Sequence, residues 1–284
     1  MEGKNLNTKD LHIFNYMNYS RVLTIAGSDS GGGAGIQADI KAISATGSYA
    51  ASAITAVTVQ NTLGVQAVHP IPEDIIAAQI DSVLSDIGAD AIKIGMLHSA
   101  KVVLTVKEAL KRNNARNIVL DPVMVSTSGH RLIEADAVLT LIKELIPISR
   151  VITPNIPEAQ ILSGQKIRSG EDLPGVAEKL SQRGKVSVLM KAGHLEEDYL
   201  TDVFFNAESG SAFKITAPRI DTPNTHGTGC TLSSALASYL AQGLELDDAV
   251  KSAVAYVHGA IEDGARYTIG HGHGPVNHFY YKWK

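Results

Sequence analysis

The sequence is poor in cysteine and has no excess of positive charge. Its 284 residues include a single cysteine, Cys230, so no disulfide can form within the chain and a secreted disulfide scaffold is excluded. A reducing cytoplasm is the expected location. Twenty-five Lys and Arg against 29 Asp and Glu give a formal charge of −4, which excludes a generically basic nucleic-acid binder.

Long apolar runs are also missing. No uncharged apolar segment reaches the roughly 18 residues that a membrane span requires, and residues 1–20 lack the continuous apolar core of a signal peptide. We therefore expect contact with neither a membrane nor nucleic acid. No repeat, charge block or Pro/Gly linker divides the chain, so we predict a loose leader over 1–20 and one domain over 21–284.

Short β-rich apolar runs alternate with longer amphipathic segments. This alternation is typical of βαβ units and predicts an α/β fold, in which helices cover both faces of a mostly parallel sheet. Helical spacing of isoleucines follows the first strand at 36, 40 and 43. The predicted strands are Val22–Ala26, Ala53–Val59, Ala91–Ile94, Ile118–Leu120, Val151–Thr153, Val186–Met190 and Asp202–Phe205. The other predicted helices are Glu73–Ile87, Ser99–Asn113, Glu134–Leu145, Asp172–Arg183, Gly229–Gln242 and Leu246–Gly264.

A glycine-rich segment, AGSDSGGGAGIQAD over Ala26–Asp39, joins the first strand to the first helix. Exposed backbone amides in such a turn predict a small-molecule site. Residues 33–38 also match the loose dinucleotide pattern G-x-G-x-x-G/A. The match is weak because its first glycine lies several residues past the strand and Gln60 stands where an acidic residue is required.

The segment DTPNTHGTGCTLSSALASYL, Asp221–Leu240, leads through Gly227, Thr228, Gly229 and Cys230 into a helix of small residues. Free amides at a helix N-terminus suit the charge on a transferring phosphoryl group. The helix dipole and a bound metal are expected to lower the pKa of Cys230; the alternative is an inert, buried cysteine.

Polar residues also end two neighbouring strands. Asp121 follows the strand ending at Leu120, and Asn155 and Glu158 follow the next one. Two carboxylates and an amide there predict a Mg²⁺ site that orients phosphates, although each group alone is also a candidate helix cap. Lys191 adds a positive charge at the same edge. No Walker A sequence is present, so we do not expect a P-loop to bind the phosphates.

The segment GHGHGPVNH, residues 270–278, contains three histidines, which suggest a zinc site. Its histidines alternate with glycines and lack the spacings of structural zinc sites. We predict an ordered C-terminal turn instead.

The motifs AGSDSGGGAGIQAD, KIGML, LDPVM, TPNIPEA, MKAGH and THGTGCT occur in this order. Together they resemble the hydroxymethylpyrimidine and phosphomethylpyrimidine kinases of thiamine biosynthesis, within the ribokinase-like superfamily. The resemblance runs from about Val22 to the tail near Phe279. It implies an ATP- and Mg²⁺-dependent enzyme that phosphorylates 4-amino-5-hydroxymethyl-2-methylpyrimidine and then its monophosphate.

The resemblance also assigns roles to individual residues. A pyrimidine pocket is expected from Gly27, Asp39, Gln60, Met96 and Val123. Mg²⁺ and phosphate are expected to bind to Asp121, Asn155 and Glu158. The ATP phosphates are expected to bind to Lys191 and Thr228. Gly227, Thr228 and Gly229 would form an anion hole beside Cys230. Relatives commonly form dimers through the exposed sheet edge, which implies a homodimer.

Two positions depart from parts of this pattern. Many sugar kinases of the superfamily place an Asp base where Cys230 stands, so Cys230 is expected to act as a base or as part of the anion hole. A base role predicts that Cys230→Ala harms the first phosphorylation more than the second. Some members carry Glu where this chain has Gln60. A Gln side chain offers a donor and an acceptor that match the ring nitrogen and amine of an aminopyrimidine.

Three rival functions stay open from the sequence. A pyridoxal kinase of the same branch shares the GTGC and metal motifs. An enzyme that phosphorylates both pyridoxal and the pyrimidine is a variant of this alternative. A nicotinamide-dependent oxidoreductase would need the dinucleotide pattern that is defective here. A non-catalytic binding protein is the third alternative, since fold does not fix function.

Overall fold

The computed structural model describes residues 18–125, 132–182, 184–193 and 198–282. Most of the predicted leader, residues 1–17, and Arg183 lie outside this part of the chain. The strands in chain order are β1 (Arg21–Asp29), β2 (Tyr49–Asn61), β3 (Gly64–Pro70), β4 (Ala91–Ile94), β5 (Ile118–Leu120), β6 (Val151–Ile152), β7 (Ser187–Met190), β8 (Tyr199–Phe205) and β9 (Ala212–Pro218).

These strands form one sheet in the order β3-β2-β1-β4-β5-β6-β7-β8-β9. The six strands from β2 to β7 along this order are parallel to their neighbours, whereas β3 pairs antiparallel with β2, and β8 and β9 pair antiparallel at the other side. The prediction of a mostly parallel sheet is confirmed. Because parallel strands end at one edge, the loops after β1, β4, β5, β6 and β7 converge there.

Helices cover both faces, as predicted. They are α1 (Gly35–Ala45), α2 (Glu73–Asp86), α3 (Ala100–Arg112), α4 (Ala135–Thr140), α5 (Ile156–Ser163), α6 (Leu173–Leu180), α7 (Thr228–Ala241) and α8 (Leu246–Gly264). Two separate apolar clusters fill the space between sheet and helices. One packs residues of α2, α3 and α6 on one face, and the other packs α1, α7 and α8 on the opposite face.

Among the described residues, the strands β3 and β9 and the helix α5 were not predicted. The side chains of β3 are almost all exposed, and those of β9 alternate between exposed and half-buried, so neither carries the apolar run used to find strands. Helix α5 has only eight residues, which is too short for a helical period to show. The predicted helix Glu134–Leu145 divides into α4 and a π-helical turn, Leu141–Leu145.

The C-terminal segment forms an ordered turn against the connection between β2 and β3, as predicted. Amides of His271 and Gly272 donate to Thr62 Oγ1, and the amide of His273 donates to Thr62 O. The amide of His226 then donates to Gly274 O. The tail therefore ties the far end of β2 to the loop that precedes α7.

Among the described residues, none of the helices is both long and apolar enough to cross a membrane.

Candidate active site

A cluster of charged side chains lies where β5, β6 and β7 end. Lys191 Nζ donates to Asp121 Oδ1 at 2.9 Å, and the hydroxyls of Thr153 and Ser233 donate to the same carboxylate at 3.1 and 3.4 Å. Asp121 is buried, and Lys191 is nearly so. The sequence predicts Asp121 and Lys191 at one edge of the sheet, and in the structure they are in direct contact.

The charged groups in this cluster shift the pKa values of their neighbours. Burial alone would raise the pKa of Asp121, but Lys191 and the nearby Lys93 outweigh it and hold that pKa below its usual range. Burial raises the pKa of Glu158 to about 7, with Asp121 adding to the rise and Lys191 opposing it. Two carboxylates therefore share the field of Lys191, and one of them sits near its ionisation point at neutral pH.

Asn155 and Glu158 form a capping box at the start of α5. The Asn155 amide donates to Glu158 Oε2 at 2.9 Å, and the Glu158 amide donates to Asn155 Oδ1 at 2.9 Å. The helix-cap alternative is thus confirmed for this pair. The capping box uses Glu158 Oε2 and not Oε1. Glu158 also lies close enough to Lys191 and Asp121 for both charges to shift its pKa.

Helix α7 starts beside that cluster. Gly227, with φ +81°, is its N-cap, and no side chain within the described residues caps it. A Cβ added at Gly229 would lie 3.1 Å from Lys191 Nζ and 3.5 Å from Asp121 Oδ2. The first turn of α7 therefore lies against the Asp121–Lys191 pair, and a helix N-terminus in such a place suits an anion.

Cys230 lies in the first turn of α7, with the backbone amide of Gly35 donating to its sulfur. Burial raises the pKa of the thiol to about 11, with Asp39 and Asp121 adding to the rise and Lys93 opposing it. The expected lowering by the helix N-terminus is therefore wrong for this structure. Burial therefore favours the neutral thiol of Cys230.

Residues expected in a pyrimidine pocket come from the glycine-rich loop and the ends of β2, β4 and β5. A Cβ at Gly27 would lie 2.7 Å from Met96 Cε, so these two residues are in contact. Gln60 is half-buried at the end of β2, and Val123 closes a tight turn in which its amide donates to Asp121 O at 2.8 Å. Gly27 also coincides with the register shift between β1 and β2.

Asp39 forms a buried ion pair with Lys93. It has no exposed surface, and both carboxylate oxygens are occupied by Lys93 Nζ at 2.8 and 2.9 Å, by Thr24 Oγ1 and by Ser234 Oγ. These contacts show that the carboxylate pairs with a completely buried lysine beneath the start of α7, because that charge could not be buried alone. That Asp39 lines the pyrimidine pocket stays a prediction.

Replacing Lys93 tests this pair. Lys93→Met leaves the Asp39 carboxylate buried without its cation, so we expect a loss of about 3–5 kcal/mol in the free energy of unfolding. Urea denaturation measures it. Lys107→Met, which removes a surface ion pair with Glu144, is the matched control and should change stability little. Equal losses in both variants would contradict the account.

Known proteins resemble this chain over most of its length. The family model described as phosphomethylpyrimidine kinase matches residues 29–277. The hydroxymethylpyrimidine/phosphomethylpyrimidine kinase of Rhizobium meliloti is 48% identical over 263 residues, which cover 92% of this chain and 98% of that protein. The chain belongs to the phosphomethylpyrimidine kinase family.

Solved structures give the same fold for this member of the phosphomethylpyrimidine kinase family. The phosphomethylpyrimidine kinase of Clostridium difficile has 46% identity and a TM-score of 0.74, covering 85% of this chain and 99% of that one. An ADP complex of Bacillus subtilis pyridoxal kinase has only 34% identity but a TM-score of 0.86, covering 94% and 100%. The ribokinase-like α/β fold is confirmed, and both kinase types share it.

Sequence reasoning missed two polar residues of this family member. Lys93 carried a usable signal, since a lysine in the middle of the fully buried strand β4 needs an anionic partner. His226 carried none, because it stands in a loop and its partners lie about 166 and 197 positions away in the chain. Only the folded structure brings these partners together.

Proposed function

We propose that this chain uses ATP and Mg²⁺ to phosphorylate 4-amino-5-hydroxymethyl-2-methylpyrimidine and then its monophosphate, giving the diphosphate for thiamine biosynthesis. One observation carries the proposal. In a chain of the phosphomethylpyrimidine kinase family, the Gln60 amide lies 3.3 Å from His226, two residues before α7 begins, so the proposed ring-binding group and the proposed anion site would adjoin.

The carboxylates of Asp121 and Glu158 fit a Mg²⁺ site. Within the described residues no group of three or more His, Cys, Asp or Glu side chains could hold a metal, but Mg²⁺ needs only one or two carboxylates beside water and phosphate oxygens. Burial, with a smaller contribution from Asp121, raises the pKa of Glu158, and a bound cation would stabilise the charged form of both carboxylates. When bound, Mg²⁺ would neutralise charge on the transferring phosphoryl group.

The reaction proposed is in-line transfer, in which the hydroxymethyl oxygen attacks the γ-phosphorus of ATP. Lys191 would bind the phosphates, as would Asn155 and Thr228 through polar groups, while the amides of Gly227 to Gly229 hold the developing negative charge. Positioning and electrostatics supply most of the acceleration in such transfers. In the second round the nucleophile is a phosphate oxygen that is already ionised at neutral pH.

Cys230 takes part as a neutral thiol under this proposal. Because its pKa is about 11, it lines the anion hole instead of accepting the substrate proton. Cys230→Ala should then lower kcat of both phosphorylations by a similar factor, about tenfold for one lost weak donor. Cys230→Ser keeps a donor and should lose less. Single-turnover rates of the two steps measure this, and a loss confined to the first step would assign a base role.

A pyridoxal kinase is the second candidate, favoured by the TM-score of 0.86 to the Bacillus subtilis enzyme. Gln60 argues against it, since a Gln amide matches an aminopyrimidine edge better than a ring with a phenolic hydroxyl. Steady-state ADP release with each ligand tests the choice. The proposal requires a higher kcat/KM for hydroxymethylpyrimidine than for pyridoxal, and the reverse order would overturn it.

The proposal includes a homodimer and a cytoplasmic location. Strand β3 is an edge strand, and the adjoining β2 and its turn expose Val57, Val59 and Leu63, the last at 66%. An apolar edge of this kind needs cover, and a second copy would supply it. Light scattering should give twice the 30.1 kDa of one chain, and a monomer mass would contradict the dimer.

A further inference from the structure

A chain of buried hydrogen bonds joins the C-terminal tail to the start of α7. His278 Nε2, in the tail, lies 3.0 Å from Thr231 Oγ1 in α7. Thr231 Oγ1 in turn lies 2.8 Å from the carbonyl oxygen of Gly227, the N-cap of that helix, and the Thr231 amide donates to the same oxygen at 2.9 Å. His278 is 4% exposed and Thr231 has no exposed surface, so these hydrogen bonds are made away from solvent.

The direction of each hydrogen bond follows from the groups involved. A carbonyl oxygen can only accept, so the contact between Thr231 Oγ1 and Gly227 O requires the hydroxyl hydrogen to lie between them. Thr231 has no second hydroxyl hydrogen, so its oxygen accepts from His278 and Nε2 carries a hydrogen. Burial lowers the pKa of His278 to about 4, with Lys41 adding to the fall. A low pKa favours the neutral ring, whose one N–H is then at Nε2.

Helix α8 holds the backbone around His278 in place. The Tyr256 hydroxyl donates to His278 O at 2.8 Å. The Asn277 amide donates to Ala260 O at 3.0 Å, and the Asn277 side chain donates to Asp263 Oδ2 at 2.7 Å. The imidazole therefore contacts α7 from a segment that three hydrogen bonds attach to α8.

The Gly227 carbonyl, which these bonds reach, lies next to the candidate site. A Cβ at Gly227 would collide with Gly33 O, so the N-cap touches the glycine-rich loop, and a Cβ at Gly229 would lie 3.1 Å from Lys191 Nζ. The first amides of a helix have no carbonyl partner within it. Their direction is set by the planar peptide units that begin at the N-cap carbonyl. A movement of the Gly227 carbonyl would therefore turn the amides available to an anion.

We propose that His278 is a positioning residue for phosphoryl transfer, which holds the Gly227 carbonyl through the Thr231 hydroxyl and so keeps the first amides of α7 directed at the transferring phosphoryl group. This rests on the proposed function of that turn as an anion hole. A helical Thr hydroxyl can bond the carbonyl four residues earlier by itself. The N–H of His278 prevents the hydroxyl hydrogen from turning towards the tail, so the bond to Gly227 O is kept.

Two substitutions of His278 test the N–H group itself. His278→Gln places an N–H near the position of Nε2, whereas His278→Asn places a polar atom only near Nδ1. At saturating ATP, Mg²⁺ and pyrimidine, we expect kcat of both phosphorylations to fall about tenfold in His278→Asn. That is less than the loss of a whole anion-hole donor, because the amides are present but misdirected. KM should change little, since the interaction acts in the transition state, and His278→Gln should largely restore kcat.

Thr231→Val removes the hydroxyl through which His278 acts and keeps the shape of the side chain. It should lower kcat by a similar factor. The double variant with His278→Asn should lose no more than Thr231→Val alone, because both residues act on one carbonyl, and additive losses would overturn the inference. Ser238→Ala is the matched control. It removes another fully buried hydroxyl of α7, two turns further along, and should leave kcat unchanged.

A purely structural role for His278 predicts a different result. The free energy of unfolding in urea would fall while kcat per folded molecule stayed at the wild-type value in every variant, which would overturn the inference. Wild-type protein that phosphorylates pyridoxal alone would instead overturn the proposed function. The same kcat ratios, measured with pyridoxal, would then still test His278.

Discussion

Gly227→Ala is expected to lower kcat/KM for both phosphorylations by about 10²- to 10³-fold, the cost of misplacing an anion hole. A Cβ at this position would lie 1.8 Å from Gly33 O, so the glycine-rich loop and the start of α7 cannot both stay in place. The backbone at φ +81° adds strain for any other residue. Steady-state kinetics on protein that has passed a thermal-melt check measures the loss.

Gly243→Ala is the matched control for this variant. Gly243 has φ +87° and follows the same helix at its other end, where a Cβ would meet nothing within 4 Å. It therefore shares the backbone strain without the close approach. We expect a small loss of stability and unchanged kcat/KM. Similar kinetic losses in both variants would show that strain, and not the contact between the two loops, accounts for the effect.

Asp121→Asn is the second large effect, with an expected fall in kcat of about 10³-fold for both steps, comparable to the loss of a key electrostatic group. The substitution keeps the shape but removes the charge that pairs with Lys191 and that would hold Mg²⁺. Rates at saturating ATP and Mg²⁺ measure the fall, because saturation separates kcat from binding.

Asp202→Asn controls for the loss of a carboxylate near Lys191. Burial raises the pKa of Asp202 to about 6, and its Oδ1 accepts from the amide of Ala192 at 2.8 Å. An Asn oxygen can accept the same hydrogen bond, so kcat should change little. A fall equal to that of Asp121→Asn would mean that the total charge around Lys191 matters and that Asp121 has no special role.

The central part of the fold was predictable because local sequence patterns identify its strands and helices. Strand β5 is a short, wholly buried apolar run, and β4 is wholly buried and apolar except for Lys93. Gly88 and Gly243 follow helix ends with φ of +74° and +87°, a conformation that glycine adopts readily. The exposed strands β3 and β9 depend on pairing with β2 and β8, which no local pattern contains.

The candidate site was predictable where a motif places a residue at a strand end or helix start. Asp121, Lys191 and Gly229 are brought together in this way. The ion pair of Asp39 was not predictable, because its motif does not reveal that Lys93, 54 residues later, binds its carboxylate. The raised pKa of Cys230 was missed for a similar reason, since burial outweighs the helix N-terminus and depends on tertiary packing.

The most direct test of the central claim is to incubate the protein with Mg²⁺, ATP and hydroxymethylpyrimidine and to separate the products by anion exchange over time. The account predicts that the monophosphate appears first and that the diphosphate then accumulates, with two ADP released for each diphosphate formed. Phosphorylation of pyridoxal alone, or release of ADP without any pyrimidine diphosphate, would contradict it.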